Sequence, residues 1–195
     1  MPHVIVLIGF MGAGKTTVGR LIAERIGVPF VDSDLVIEDQ QQRAIKDVFA
    51  EQGEAAFRDI EEATIAQLLA GPAAVLSLGG GACGREGTRE RLHGHTVVYL
   101  HVDLDEAIRR AGRDDRRPLL HDPHLPDLYA GRLEGYTATA TIVCRTTGRR
   151  VQDIGLEIID RLTGTADGDG TQGVLVRPAQ ATAALSDLAG RPGHG

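Results

Sequence analysis

The chain has 195 residues and a formal charge of −6, with 42% apolar and 25% charged residues. That length implies one domain with room for a short appendage, and the composition is that of an ordinary globular protein. The acidic balance excludes general nucleic-acid binding, two cysteines exclude a disulfide framework and a structural zinc site, and no apolar run is long enough to span a membrane. Together these point to a reducing, cytoplasmic setting. Only Lys15 and Lys46 are lysines, and asparagine is absent, which removes N-glycosylation sites and the asparagine-based guanine-reading motif of GTP switches.

In chain order, Val4 to Ile8 is a short apolar run ending in glycine, as in a buried parallel strand. Gly9-Phe-Met-Gly12-Ala-Gly14-Lys15-Thr16 follows, matching the Gly-x-x-x-x-Gly-Lys-Ser/Thr phosphate cradle. Residues 15–26 read as a helix with Val18, Leu21, Ile22 and Ile26 on one face and Gly27 as its stop. A strand before the cradle and a helix after it are the context this motif requires. Backbone N–H groups of Gly12 to Thr16 and Thr17, with the helix dipole, are set to hold phosphates. Lys15 reaches the β- and γ-phosphates, and the Thr16 hydroxyl is a ligand for Mg²⁺.

Val28 to Val31 is a second strand, running into Asp32-Ser33-Asp34. Strand C-terminal ends face the ligand crevice in an open parallel sheet, so both carboxylates point toward the phosphates. One supports the metal and the other accepts a proton from an attacking hydroxyl. The alternative is a solvated turn in which Asp34 caps the next helix.

Residues 35–52 read as broken helix, Gly53 as punctuation, and 54–70 as a longer helix with Phe57, Ile60, Ile65, Leu68 and Leu69 inward. Ala74 to Leu78 is a third strand, entering Gly79-Gly80-Gly81, and Thr96 to Val102 a fourth. A helix at 104–111 precedes an Arg-, Asp-, His- and Pro-rich stretch, 112–127, which reads as an exposed mobile loop. There, His121 and His124 read as solvated residues rather than metal ligands, and Cys83 as a buried filler. Helix at 128–138, strand at Ala140 to Cys144 and helix at Asp153 to Leu162 complete the pattern. Alternating strands and helices imply a parallel sheet with helices on both faces. In residues 164–195 seven of 32 are glycine, and Ile, Phe and Tyr are absent, so the segment reads as a disordered tail in which Val174 to Val176 and 181–189 are the stretches able to order.

Beyond the cradle, several segments occur together: Asp32-Ser-Asp34, Gly53-Glu54, Phe57-Arg58-Glu61-Glu62, Leu76 to Gly81, Arg116-Arg117-Pro118-Leu119-Leu120, and Arg132 with Tyr136. With them the sequence resembles the shikimate kinase family over about residues 3–162. The resemblance implies a three-layer α/β/α P-loop fold whose five parallel strands, numbered along the chain, lie in the order 2-3-1-4-5. It implies a domain of residues 1–163 with an acceptor-binding segment at about 33–61 and a lid at about 112–124. The implied activity is phosphorylation of the 3-hydroxyl of shikimate by ATP with Mg²⁺, by a monomer. Asp34 would bind and orient the reacting hydroxyl, and Asp32 would hold the metal through water, beside Thr16. Arg58, Arg132 and the backbone of Gly79, Gly80 and Gly81 would bind shikimate. Arg117 would reach the transferred phosphoryl group from the lid, and Arg110 and Arg149 would line the adenine pocket. A gluconate or nucleotide kinase, or an inactive nucleotide-binding module, is the other reading.

Overall fold

The computed structural model describes residues 4–112, 122–163 and the backbone of 173–175. Arg117, His121 and most of the lid lie outside the described residues, as does the remainder of 164–195. Five strands form a parallel sheet: β1 (Ile5–Ile8), β2 (Phe30–Asp32), β3 (Val75–Ser77), β4 (Thr96–His101) and β5 (Ile142–Arg145). Their order is β2-β3-β1-β4-β5, the one implied by the resemblance. A sixth strand, β6 (Gly173–Leu175), adds antiparallel to the outer side of β5. It falls in the stretch whose Val-Leu-Val run stood out in an otherwise glycine-rich segment.

The helices are α1 (Lys15–Ile26), α2 (Ser33–Gln41), α3 (Ile45–Leu69), α4 (Glu86–Leu92), α5 (Leu104–Ala111), α6 (Leu125–Thr139) and α7 (Val151–Thr163). They flank the sheet in a three-layer sandwich, with α1 against α7 and α6 against a 3₁₀ turn at Ala82–Gly84. The central strands β1 and β4 are almost wholly buried, as strands covered on both faces must be. A separate cluster of Ile37, Val48 and Phe57 joins α2 to α3, a small satellite of the main core.

Several boundaries differ from the sequence reading. The second strand begins at Phe30 and ends at Asp32, and α2 starts immediately after it. The interior of α1 includes Gly19 and Ala23, while Ile26 is exposed at the helix end. Gly19 is buried because Phe30 packs on it: a Cβ there would lie 2.5 Å from the ring. Pro126 sits in the first turn of α6, where its missing N–H costs nothing, so that helix starts at Leu125 inside the expected loop. The short helix α4 was not anticipated; its seven residues carry too few apolar positions for a periodic signal.

Candidate active site

A cavity of about 920 Å³ opens at the C-terminal ends of the parallel strands and is lined by residues of the loops that follow them. The cradle after β1 forms its floor. Gly12 has φ +75°, and a Cβ on it would lie 2.5 Å from the Ala107 carbonyl oxygen. Only glycine combines that backbone angle with so close a neighbour. Gly14 precedes α1 in the left-handed region and brings no capping side chain, so the positive end of the helix dipole is available to an anion. The Lys15 ammonium donates to the carbonyls of Gly9 (2.8 Å) and Phe10 (3.3 Å), which folds its stem back over the loop.

Asp32 closes the acidic side. Its Oδ1 accepts from the Asp34 backbone N–H at 3.1 Å and so caps α2, while its Oδ2 accepts from the Thr16 hydroxyl at 3.3 Å. The helix is therefore capped by Asp32, not by Asp34. The strand does not run on to residue 34, because the cap turns the chain into α2 first. Asp34 lies in that first turn and points into the cavity, where its carboxyl is pushed up to about 6. Burial is the main cause, Asp32 adds to it, and Lys15 opposes it. Ser33 is fully buried, and its hydroxyl accepts from the Gly79 backbone N–H at 3.1 Å, which ties α2 to the glycine run after β3.

That run is pressed by three side chains at once. A Cβ on Gly79 would lie 2.6 Å from the Asp34 carboxylate, and one on Gly80 would lie 3.1 Å from Arg132. At Gly81 it would collide with the Arg58 guanidinium. Arg58 donates to Glu61 at 2.6 Å and Glu54 at 3.2 Å, and its guanidinium carbon stands 5.3 Å from the Phe57 ring centroid and 5.9 Å from that of Phe49. Arg132 stands 5.5 Å over Phe10. These ring contacts and ion pairs hold two flexible cations in fixed places.

On the opposite side, Arg110 donates to the carbonyls of Gly12 (3.4 Å) and Thr146 (2.7 Å) and pairs with Glu106 at 2.8 Å. Arg149 donates to the Arg145 carbonyl at 3.1 Å and pairs with Glu157 at 2.6 Å. The cavity thus brings together Gly12 to Thr17, Asp32, Asp34, Arg58, Gly79 to Gly81, Arg110, Arg132 and Arg149; Arg117 lies outside the described residues.

One member was given no role in the site by the sequence. Glu61 stood in the sequence beside Arg58 and Glu62 as part of a segment that carries the resemblance. In the structure Glu61 is 2% exposed and lines the cavity between Arg58 and Arg132, while Glu62 pairs with Arg91 instead. Burial pushes the Glu61 carboxyl up against the pull of both arginines. Its i+3 spacing from Arg58 was legible; its burial was not, because that depends on where the glycine run packs. Cys83 is buried, with its thiol pushed up to about 12, as suits a filler. Among the described residues no group of three His, Cys, Asp or Glu side chains can hold a metal ion, and no helix is long and apolar enough to cross a membrane. Thr16 and Asp32 offer a hydroxyl and a carboxylate side by side, the hard oxygen donors of a site that takes Mg²⁺ with water completing the shell.

The shikimate kinase family model matches residues 11–163. A shikimate kinase of Salinispora tropica is 47% identical over 161 residues, covering 81% of this chain and 96% of that one. One of Thermobifida fusca is 43% identical over 165 residues, covering 83% and 96%. Among solved structures, the shikimate kinase of Acinetobacter baumannii in complex with shikimate superposes with a TM-score of 0.79 at 35% identity, covering 85% of this chain and 96% of that one. On the extent of these matches, the chain belongs to the shikimate kinase family.

Proposed function

We propose that this chain transfers the γ-phosphoryl group of ATP to the 3-hydroxyl of shikimate. The reading is carried by one observation: a phosphate cradle and a half-buried carboxylate share a cavity with two arginines fixed on the acceptor side. Two planar guanidinium groups suit a small carboxylic acid, because each can pair with a carboxylate through two parallel hydrogen bonds. Arg58 and Arg132 bind the shikimate carboxylate, with the backbone of Gly79 to Gly81 beneath the ring. Asp34 orients the 3-hydroxyl and takes its proton as the oxygen attacks the γ-phosphorus. The bond from that phosphorus to its bridging oxygen breaks, and ADP leaves.

The backbone of Gly12, Ala13, Gly14, Thr16 and Thr17 holds the phosphates, and Lys15 gathers their charge. Arg117 joins it from the 112–124 segment, which serves as the lid. An arginine acting on the transferred group is worth ~10³-fold or more in rate. Thr16 and Asp32 hold Mg²⁺, which when bound neutralises phosphate charge. Arg110 and Arg149 flank the adenine. Residues 1–163 form the kinase domain, which works as a cytoplasmic monomer, and 33–61 form its acceptor-binding segment. The test is a coupled assay with purified chain, ATP and Mg²⁺, offering shikimate or gluconate, with and without residues 164–195. ADP release that depends on shikimate alone is expected, and release with gluconate only refutes the reading.

A further inference from the structure

Tyr136 belongs to the motif that singled out Arg132, but the reaction assigns it no task. Its ring is core: it is 1% exposed and lies against Tyr99 with centroids 5.1 Å apart. A phenylalanine would fill that space equally well, so packing leaves the hydroxyl unexplained. The hydroxyl donates to the Gly80 carbonyl, in the middle of the glycine run that lines the cavity. Gly80 is a junction. From the position of a Cβ on it, Arg132 is 3.1 Å away, the Tyr136 hydroxyl 3.6 Å and the Gly9 carbonyl 3.7 Å.

The hydroxyl and the guanidinium thus stand against the same residue of the glycine run. Burial pushes the phenol up, and the positive charge of Arg132 opposes that rise. A phenol kept protonated has one proton to give. With that proton committed to Gly80, the oxygen is left with lone pairs alone, the kind of partner a guanidinium, a pure donor, can use. The helix carrying both side chains is seated by Gly135, where a Cβ would lie 2.9 Å from the Cys83 carbonyl oxygen. Gly135 thus lets α6 come down onto the 3₁₀ turn immediately after the glycine run.

We propose that Tyr136 is a positioning residue for the acceptor: its hydroxyl clamps the Gly80 carbonyl and the Arg132 guanidinium into one rigid shikimate-binding edge. This rests on the reading of the acceptor as shikimate. Loss of the hydroxyl leaves the Gly80 carbonyl unpaired and loosens the edge against which Arg132 stands, while the cradle and the adenine side keep all their contacts. Acceptor binding therefore suffers, and ATP binding does not.

The experiment compares the unaltered chain with Tyr136→Phe, Gly135→Ala and Thr137→Val. Thr137 is a buried hydroxyl on the same helix that bonds only to the Leu133 carbonyl, so Thr137→Val reports what a lost buried hydroxyl does to α6 alone. For Tyr136→Phe the shikimate KM is expected to rise about tenfold, the scale of one hydrogen bond lost with its partner left unpaired. Its ATP KM should stay within twofold, and Thr137→Val should leave both constants in place. Gly135→Ala, which lifts the same helix edge, should repeat the shikimate effect and keeps the test decisive if Tyr136→Phe cannot be purified. A shikimate KM within twofold of the unaltered chain overturns the inference, as does an equal rise in both KM values shared by Thr137→Val. If the unaltered chain turns over no shikimate, the acceptor reading itself has failed, and the inference falls with it.

Discussion

Asp34 is a carboxyl set among charges of both signs and held largely out of water. Burial works most against its ionisation, Asp32, Glu61 and Glu38 add to that, and Lys15 favours the charged form. In the proposed role of base Asp34 has to be ionised to accept a proton, and its carboxyl is pushed up to about 6 rather than lying near 4. The kcat/KM for shikimate should therefore climb as pH rises through about 6 and level off above it. Asp34→Asn should abolish turnover yet bind ATP with an affinity close to that of the unaltered chain, as measured by nucleotide titration. A variant that turns over normally removes Asp34 from the chemistry. The identity of this residue was legible from its place after a strand, but its environment was not. Burial is displayed by no local pattern, and Glu61 reaches the site from α3, far along the chain.

At the scale of elements, α3 is two helices joined at Gly53, whose φ of +81° and ψ of +171° lie in a region that only glycine occupies readily. Nothing lies within 4 Å of where a Cβ would stand, so the demand is purely conformational. Gly53→Ala should lower the unfolding free energy by about 1–3 kcal/mol. A urea midpoint unchanged from that of the unaltered chain would show that the kink relaxes freely. The bend also sets the direction in which Arg58 leaves α3. Sequence marked this break correctly because glycine punctuates, and it placed α1 and α5 to the residue because each has a clear stripe of apolar positions. It failed where tertiary contacts decide. The strand β2 ends where Asp32 caps α2, α4 has no stripe to read, and β6 is a three-residue edge within a polar, glycine-rich stretch.

At the scale of the whole molecule, two carboxyls of the cavity, Asp34 and Glu61, hold their protons more tightly folded than unfolded. Each therefore stabilises the fold fully at low pH and ceases to do so as pH rises through its folded value. As pH rises from about 4 to about 6, the ligand-free protein should lose up to about 3 kcal/mol from Asp34, because each pH step between its unfolded and folded values costs about 1.4 kcal/mol. Asp34→Asn should flatten that slope in denaturant titrations, and an unchanged slope would place the proton uptake elsewhere. The strand order has a consequence during synthesis. The fully apolar β1 is made first, yet its neighbours are β3, where Ile5 meets Val75, and β4, where it meets Thr96. At translation rates of about 5–20 residues per second, the first of those partners emerges on the order of ten seconds later. For that interval the strand that will become the centre of the sheet is an unpaired hydrophobic edge, and the nascent chain depends on holding it apart from other chains until β3 arrives.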